Sequence, residues 1–276
     1  MPGRIGDGFA PWLSLWRLTP DGAAIHTRTA DLLPVRREGM ALMLKLLHEP
    51  EERRGAGLLH WWDGQGAARV LERTETALLM ERATGPGSLS DMARSGRDGE
   101  AARILCATVA GLHAPRLGPL PALKSLADQF RVLAPMAAQR GGILARAAEV
   151  AARLLADPRE VVPLHGDLHH DNVLDFGPRG WLAIDPQGLI GERGFDYANI
   201  FTNPDLSDPA HPVATRPGVF EARLEIVVAA SGLECQRLLA WVLAWCGLSA
   251  SWFLGDGDPL AEIDLTIARR AAAHLA

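Results

Sequence analysis

The chain has 276 residues, with 33 acidic and 28 basic side chains, 48% hydrophobic residues and 22% charged ones. That composition excludes a disordered or fibrous chain and is enough for a substantial core, or for two lobes. A net charge of −5 argues against a nucleic-acid binder, and three scattered cysteines (Cys106, Cys235 and Cys246) suit neither a disulfide framework nor a zinc site.

The first residues carry no apolar core of the kind a secretory signal needs, so the chain reads as cytoplasmic, with no membrane partner. Trp12 to Thr19 partly alternates and reads as a strand, with a turn at Pro20-Asp21-Gly22. Ile25 to Val35 is mixed. Met40 to Leu47 is an apolar run that suits a buried strand. Pro50, followed by Glu51 and Glu52, reads as a helix start: proline sits in the first turn and acids lie at the positive end of the dipole. This helix runs to about Trp62 and stops at Asp63-Gly64-Gln65-Gly66. Ala68 to Leu71 and Thr76 to Glu81 read as two further strands. Thr84-Gly85-Pro86-Gly87-Ser88 then divides the chain into a lobe of residues 1–84 and a lobe of residues 85–276.

Beyond that break the pattern is helical over Asp98 to His113, Leu123 to Ala138 and Ile143 to Ala156. Short strands interrupt it at Val161 to Leu164, Val173 to Phe176 and Trp181 to Ile184, the last two joined as a hairpin by Gly177-Pro178-Arg179-Gly180. Leu238 to Leu254 has no charged residue, but it is shorter than the ~20 residues that span a bilayer. Trp241, Trp245 and Trp252 recur there at helical spacing, as in a buried core helix. The order is an α+β plan of two lobes, a small β-rich one with one helix and a larger, mainly helical one.

Twenty-six of the 28 basic residues are arginine, leaving Lys45 and Lys124 as the only lysines. Residues 1–195 balance 23 acids with 23 bases, whereas residues 196–264 hold ten acids and three bases. The negative excess therefore lies late in the chain, with Asp256, Asp258, Glu262 and Asp264 following the tryptophan-rich segment.

The segment richest in chemistry is His165-Gly166-Asp167-Leu168-His169-His170-Asp171-Asn172, followed by Ile184-Asp185-Pro186. Asn172 lies five residues after Asp167 and Asp185 thirteen after Asn172. The hairpin brings Asp185 beside Asn172, and Asp167 projects from the loop ahead of them. An amide oxygen plus a carboxylate suits Mg²⁺, and a separate carboxylate nearby can accept a hydroxyl proton during phosphoryl transfer.

These residues resemble the catalytic core of the protein-kinase-like superfamily, and more closely its aminoglycoside phosphotransferase branch. Gly180-Trp181-Leu182-Ala183-Ile184-Asp185-Pro186, Gly194-Phe195, Ala198-Asn199, Arg54-Gly55-Ala56 and Leu248-Ser249-Ala250 are similar to the subgroup of streptomycin (6-type) and hydroxyurea phosphotransferases. The resemblance implies a bilobal kinase-like fold and an ATP-dependent O-phosphotransferase, with GTP as an alternative nucleotide and Mg²⁺ as cofactor. It implies Asp167 as the catalytic base and Asn172 and Asp185 as metal ligands. Lys45 would hold the α- and β-phosphates, with Glu52 as its partner and Glu51 or Glu49 as substitutes. Glu81 to Ala83 would be the hinge that reads the nucleobase, and Asp21-Gly22-Ala23-Ala24 the turn over the phosphates. Asp196 matches a family position that supports the loop. It is also carried, with Asp256, Asp258 and Glu262, as a candidate contact for a cationic acceptor such as streptomycin, and antibiotic resistance is the implied role. The expected assembly is a monomer or weak dimer.

Two alternatives stay open at this point. A kinase for hydroxyurea or a neutral metabolite would share the fold. A metal-dependent hydrolase would instead gather His165, His169 and His170 with Asp167 and Asp171 around a transition metal.

Overall fold

The computed structural model describes residues 8–276. It opens with helix α1 (Ala10–Leu15), followed by strands β1 (Thr19–Pro20), β2 (Ile25–His26), β3 (Ala30–Arg37) and β4 (Met40–Leu47). Helix α2 (Pro50–Trp62) comes next, then β5 (Val70–Arg73) and β6 (Ala77–Glu81). The strands form one antiparallel sheet in the order β1-β3-β4-β6-β5, with β2 also paired to β3. The strand expected over Trp12 to Thr19 is mostly α1. Pro11 starts the helix, and Trp12 and Trp16, one turn apart, pack with ring centroids 4.9 Å apart. An alternating pattern and an i,i+4 pair share those two positions, so the period alone does not separate strand from helix.

Strand β4 is the centre of the sheet and shows why a lysine can be buried there. Leu42, Leu44 and Leu46 fill one face against Leu33, Val35, Leu79 and Phe9. The period of two then turns Lys45 and Leu47 to the other face, beneath α2.

The remaining chain contains α3 (Leu89–Met92), α4 (Asp98–His113), β7 (Lys124–Ser125), α5 (Leu126–Gln129), α6 (Leu133–Arg140) and α7 (Gly142–Ala156). Strands β8 (Val161–Leu164), β9 (Val173–Asp175), β10 (Trp181–Ala183) and β11 (Leu189–Glu192) precede α8 (Gly194–Ala198), α9 (Val219–Ser231), α10 (Cys235–Asp256) and α11 (Ala261–His274). The single helix expected over Leu123 to Ala138 is divided into β7, α5 and α6. The Lys124 N–H pairs with the Gly188 carbonyl, and Ser125 caps α5 by accepting from the Asp128 N–H. Helix α10 is long and apolar enough to cross a membrane, but most of it is buried among α7, α8 and α11. Trp241 and Trp245 lie in the core, whereas Trp252 is 37% exposed.

Two pairings position the site. Strand β8 runs antiparallel to β11, and β9 and β10 form the expected hairpin with Val173 opposite Ala183. The loops after β8 and β10 therefore lie side by side, tied by Ile184 N–H to Asn172 O at 2.9 Å and Gln187 N–H to His165 O at 2.8 Å. Helix α2 rests on the second loop. A Cβ at Gly55 would stand 1.9 Å from the Pro186 carbonyl oxygen, so only glycine permits this approach. The segment between β6 and α3 crosses to the helical part, where the Gly85 and Gly87 N–H groups donate to Asp175.

Candidate active site

Lys45 is 5% exposed, and its ammonium meets two carboxylates. Glu52 Oε2 lies 2.5 Å away on α2, and Asp185 Oδ1 pairs with it from the β10 loop. Burial disfavours the charged lysine, but Asp185 and Glu52 outweigh it and hold the ammonium above its ordinary range. Of the three glutamates considered, Glu52 is thus the one that reaches Lys45. Its other oxygen accepts from Thr29 Oγ1 at 2.6 Å, which ties the β2–β3 turn to the same cluster.

Asp167 and Asn172 are joined by the Asn172 Nδ2 donor, which reaches the Asp167 carbonyl at 2.8 Å. That bond uses the amide nitrogen, and the amide oxygen of Asn172 accepts no hydrogen bond among the described residues. Asp185 is about half exposed and adopts a left-handed backbone with φ 61°, an unfavourable conformation for a residue with a side chain. A hard oxygen donor and a half-exposed carboxylate on adjacent strands fit Mg²⁺. A cleft of about 250 Å³ is lined by Arg28, Thr29, Glu51, Glu52, Asp167, Asp185, Pro186 and Gln187.

The loop itself is held by Asp196. Its two oxygens accept from the His165 and Gly166 N–H groups, both at 2.8 Å, and from His113 Nε2 at 2.8 Å. Burial would raise this carboxyl, but His113, His165 and the Gly166 N–H hold it below the usual carboxylate range. Asp196 is fully buried and has no oxygen to offer an acceptor, so it braces the loop and does not bind substrate. His165 donates from Nε2 to the Ile184 carbonyl and accepts from the Asp167 N–H at Nδ1. Burial pushes its imidazole down, consistent with that neutral tautomer.

The histidines do not converge on a metal. Both nitrogens of His165 face the backbone. His170 is buried and held low by burial and by Arg223, while His169 Nε2 stands 3.8 Å from Asp167. Among the described residues no three His, Cys, Asp or Glu side chains gather as a metal cluster. This geometry does not support the hydrolase reading.

The remaining expected residues differ in their surroundings. Glu81 and Arg82 spend their N–H groups on Arg69 and Ala41, and the Glu81 side chain pairs with Arg179. Ala83, the last of the three residues expected at the hinge, has an N–H that makes no hydrogen bond among the described residues. Like Leu174 and Ile184, it packs against the small buried cluster of Ala68, Phe176 and Leu182. Asp256, Asp258 and Glu262 lie at the turn between α10 and α11, and none lines the cleft. Glu262 pairs with Arg269, and Asp258 accepts from the Leu260 N–H. The turn at Asp21-Gly22 does not line the cleft either: Asp21 pairs with Arg36 and Arg82. The turn that meets the cleft is the next one, with Arg28 and Thr29. The hydrophilic Thr27-Arg28-Thr29 between two short apolar segments was its signal.

A family profile described as aminoglycoside/hydroxyurea antibiotic resistance kinase matches residues 15–257. The chain belongs to this family. As such it is an aminoglycoside kinase, a phosphotransferase with an alcohol acceptor. It is 60% identical to the streptomycin 3''-kinase of Klebsiella pneumoniae over 255 residues, covering 91% of this chain and 96% of that protein. It is 30% identical to the streptomycin 6-kinase of Streptomyces glaucescens over 284 residues, covering 95% and 87%. Its fold matches the aminoglycoside phosphotransferase APH(4)-Ia crystallised with ADP and hygromycin B, at a TM-score of 0.66, 14% identity and 97% and 98% coverage. The kinase-like fold and the resemblance drawn from the loop motifs both hold. Within this family of kinases, the relative named for the 3''-hydroxyl shares twice the identity of the 6-type one.

Proposed function

We propose that this kinase transfers the γ-phosphoryl group of ATP, in the cytoplasm, to the 3''-hydroxyl of a streptomycin-type aminoglycoside, and so inactivates the drug. The observation that carries the reading is the buried Lys45 paired to both Glu52 and Asp185, beside the Asp167 carboxylate on one cleft. The 60% identity supports the choice of acceptor and of hydroxyl.

Each residue then has a physical task. Lys45, fixed by two carboxylates on a rigid strand, presents its ammonium to the α- and β-phosphates. The free N–H of Ala83 meets the nucleobase edge, with Leu174 and Ile184 as an apolar shelf beneath the ring. Arg28, at the tip of the β2–β3 turn, adds a cation over the phosphates. Asn172 and Asp185 would hold Mg²⁺, which when bound offsets the charge of the β- and γ-phosphates. Asp167 orients the acceptor hydroxyl and takes its proton as the new P–O bond forms. Most of the rate comes from positioning and charge stabilisation. Glu51, Asp167 and Asp185 give the cleft an acidic wall, which suits the two guanidinium groups and the amine of streptomycin better than neutral hydroxyurea.

ATP turnover with streptomycin, hydroxyurea and simple amino alcohols tests the proposal, with NMR locating phosphate on the product. Turnover confined to hydroxyurea or another neutral acceptor would overturn it, and a product phosphorylated elsewhere on streptomycin would overturn the 3'' assignment.

A further inference from the structure

The two oxygens of Asp167 have unequal surroundings. Oδ1 accepts from Asn199 Nδ2 at 2.9 Å. Oδ2 has only a long approach from Asn172 Nδ2 at 3.4 Å and from His169 at 3.8 Å. Asn199 is in turn held by Asn203, whose Nδ2 donates to the Asn199 side-chain oxygen at 2.8 Å. Both asparagines are buried, at 2% and 3% exposure.

This pair rests on a rigid base. The carbonyls of Ile200 and Asn203 accept from Arg223 Nη1 at 2.5 and 2.6 Å, and Arg223 makes a two-pronged contact with Asp98 at the start of α4. One turn earlier, Asp196 grips the backbone just ahead of Asp167. Residues 196 and 199 are three apart on one helical face. A single short segment therefore fixes both the backbone and the carboxylate of the same loop.

We propose that Asn199 is a positioning residue that gives the oxygens of Asp167 separate tasks, with Asn203 setting its orientation. Oδ1 is committed to the buried amide, and Oδ2 is left as the acceptor of the substrate hydroxyl's proton. The direction of the relay follows from donor chemistry. A carboxylate can only accept, so Asn199 must turn its NH₂ toward Asp167 and its oxygen toward Asn203. Asn203 can fill that oxygen only by offering its own NH₂. A side chain that rotated freely would present either oxygen at varying angles, and misplacement of about 1 Å costs on the order of 10²-fold in rate. The inference rests on the reading of Asp167 as the proton acceptor.

The test uses the full chain with ATP, Mg²⁺ and streptomycin. Asn199→Ala and the isosteric Asn199→Asp should lower kcat by about 10- to 100-fold, with KM for ATP and for streptomycin within about threefold of the parent. Asn203→Asp, which touches no carboxylate of the cleft, should lower kcat in the same way because it presents oxygen to oxygen and turns the Asn199 amide around. In an Asp167→Ala background, Asn199→Ala should cause no further loss, since its effect passes through the missing carboxylate. Thermal unfolding and nucleotide affinity establish that each variant is folded. If Asn199→Ala does not fold, the two aspartate variants decide. An unchanged kcat in the folded variants, or an equal loss with and without Asp167, overturns the inference. Wild-type turnover in Asp167→Ala itself would overturn the underlying reading instead, so the two failures are distinct.

Discussion

Asp185 combines a left-handed backbone with a charged partner, Lys45, on the neighbouring lobe. Replacing its carboxylate with an amide keeps the shape but removes a charged ligand and the ion pair. Asp185→Asn is expected to weaken nucleotide binding in the presence of Mg²⁺ and to lower turnover together, while affinity without metal changes far less. Calorimetric titration with and without Mg²⁺ separates the two. Asp264 shows the opposite fate of a carboxyl. It is fully buried on α11 and makes no hydrogen bond of good geometry. Burial, weakly opposed by Ser249, pushes it well above the usual carboxylate range. A carboxyl raised in the folded state holds its proton after the unfolded chain has released it. Its contribution to stability is therefore full below pH about 4 and is lost as pH rises through its folded value. Asp264→Asn removes that dependence. Its melting temperature should exceed the parent's by a margin that grows from pH 5 to pH 8. A margin independent of pH would mean that Asp264 is ionised in the fold.

At the scale of elements, α2 carries Glu52 and its position is set by contact with the loop that carries Asp185. Gly55 meets the Pro186 carbonyl, and Gly188 meets the backbone of Arg54, where a Cβ would stand 2.9 Å away. Gly55→Val should lift α2 and draw Glu52 from Lys45, raising KM for ATP and lowering stability by about 1–3 kcal/mol. Chemical denaturation and steady-state kinetics check both effects. The elements that build the site were legible in the chain. The apolar run with Lys45, the Pro50 start and the hairpin around Gly177-Pro178-Arg179-Gly180 each carry a local signal that tertiary contacts reinforce. Elements with a weaker local code were misread. Trp12 to Thr19 has a period that fits two structures, and Leu123 to Ala138 is divided by pairing with a distant strand. The role of Thr27-Arg28-Thr29 was missed because it depends on which of two turns faces the cleft, and only the sheet order decides that. Asn199 was visible in a family phrase, yet its partner Asp167 lies 32 residues away and no spacing rule links them.

Across the whole molecule, the acidic excess of residues 196–264 does not form one field. Asp196, Asp205 and Asp264 are buried, and Asp205 spends its oxygens on the backbone and side chain of Val213 to Thr215. Asp208, Glu221, Glu234 and Glu262 each face a histidine or arginine. The acidity that lines the cleft comes instead from the balanced residues 1–195, with Glu51 and Glu52 on α2 and Asp167 and Asp185 on their loops. Glu51→Gln should therefore raise KM for streptomycin, more at low than at physiological salt, where the Debye length is about 8 Å. Neutralising Asp256 and Asp258 together should leave that KM within twofold. The reverse result would place the drug against the α10–α11 turn.

The close seat of Gly55 on Pro186 bears on control of the enzyme. Kinases that are switched commonly swing the helix that carries the lysine's glutamate, and such a swing needs space between that helix and the metal-binding loop. Here backbone meets backbone, and the Lys45 bridge closes the gap from the other side. A swing of α2 would have to break both the Gly55–Pro186 seat and the Lys45 bridge. Hydrogen exchange should find the α2 amides equally slow with and without nucleotide. Faster exchange in the free enzyme would reveal a second pose, and with it a point at which activity could be turned down.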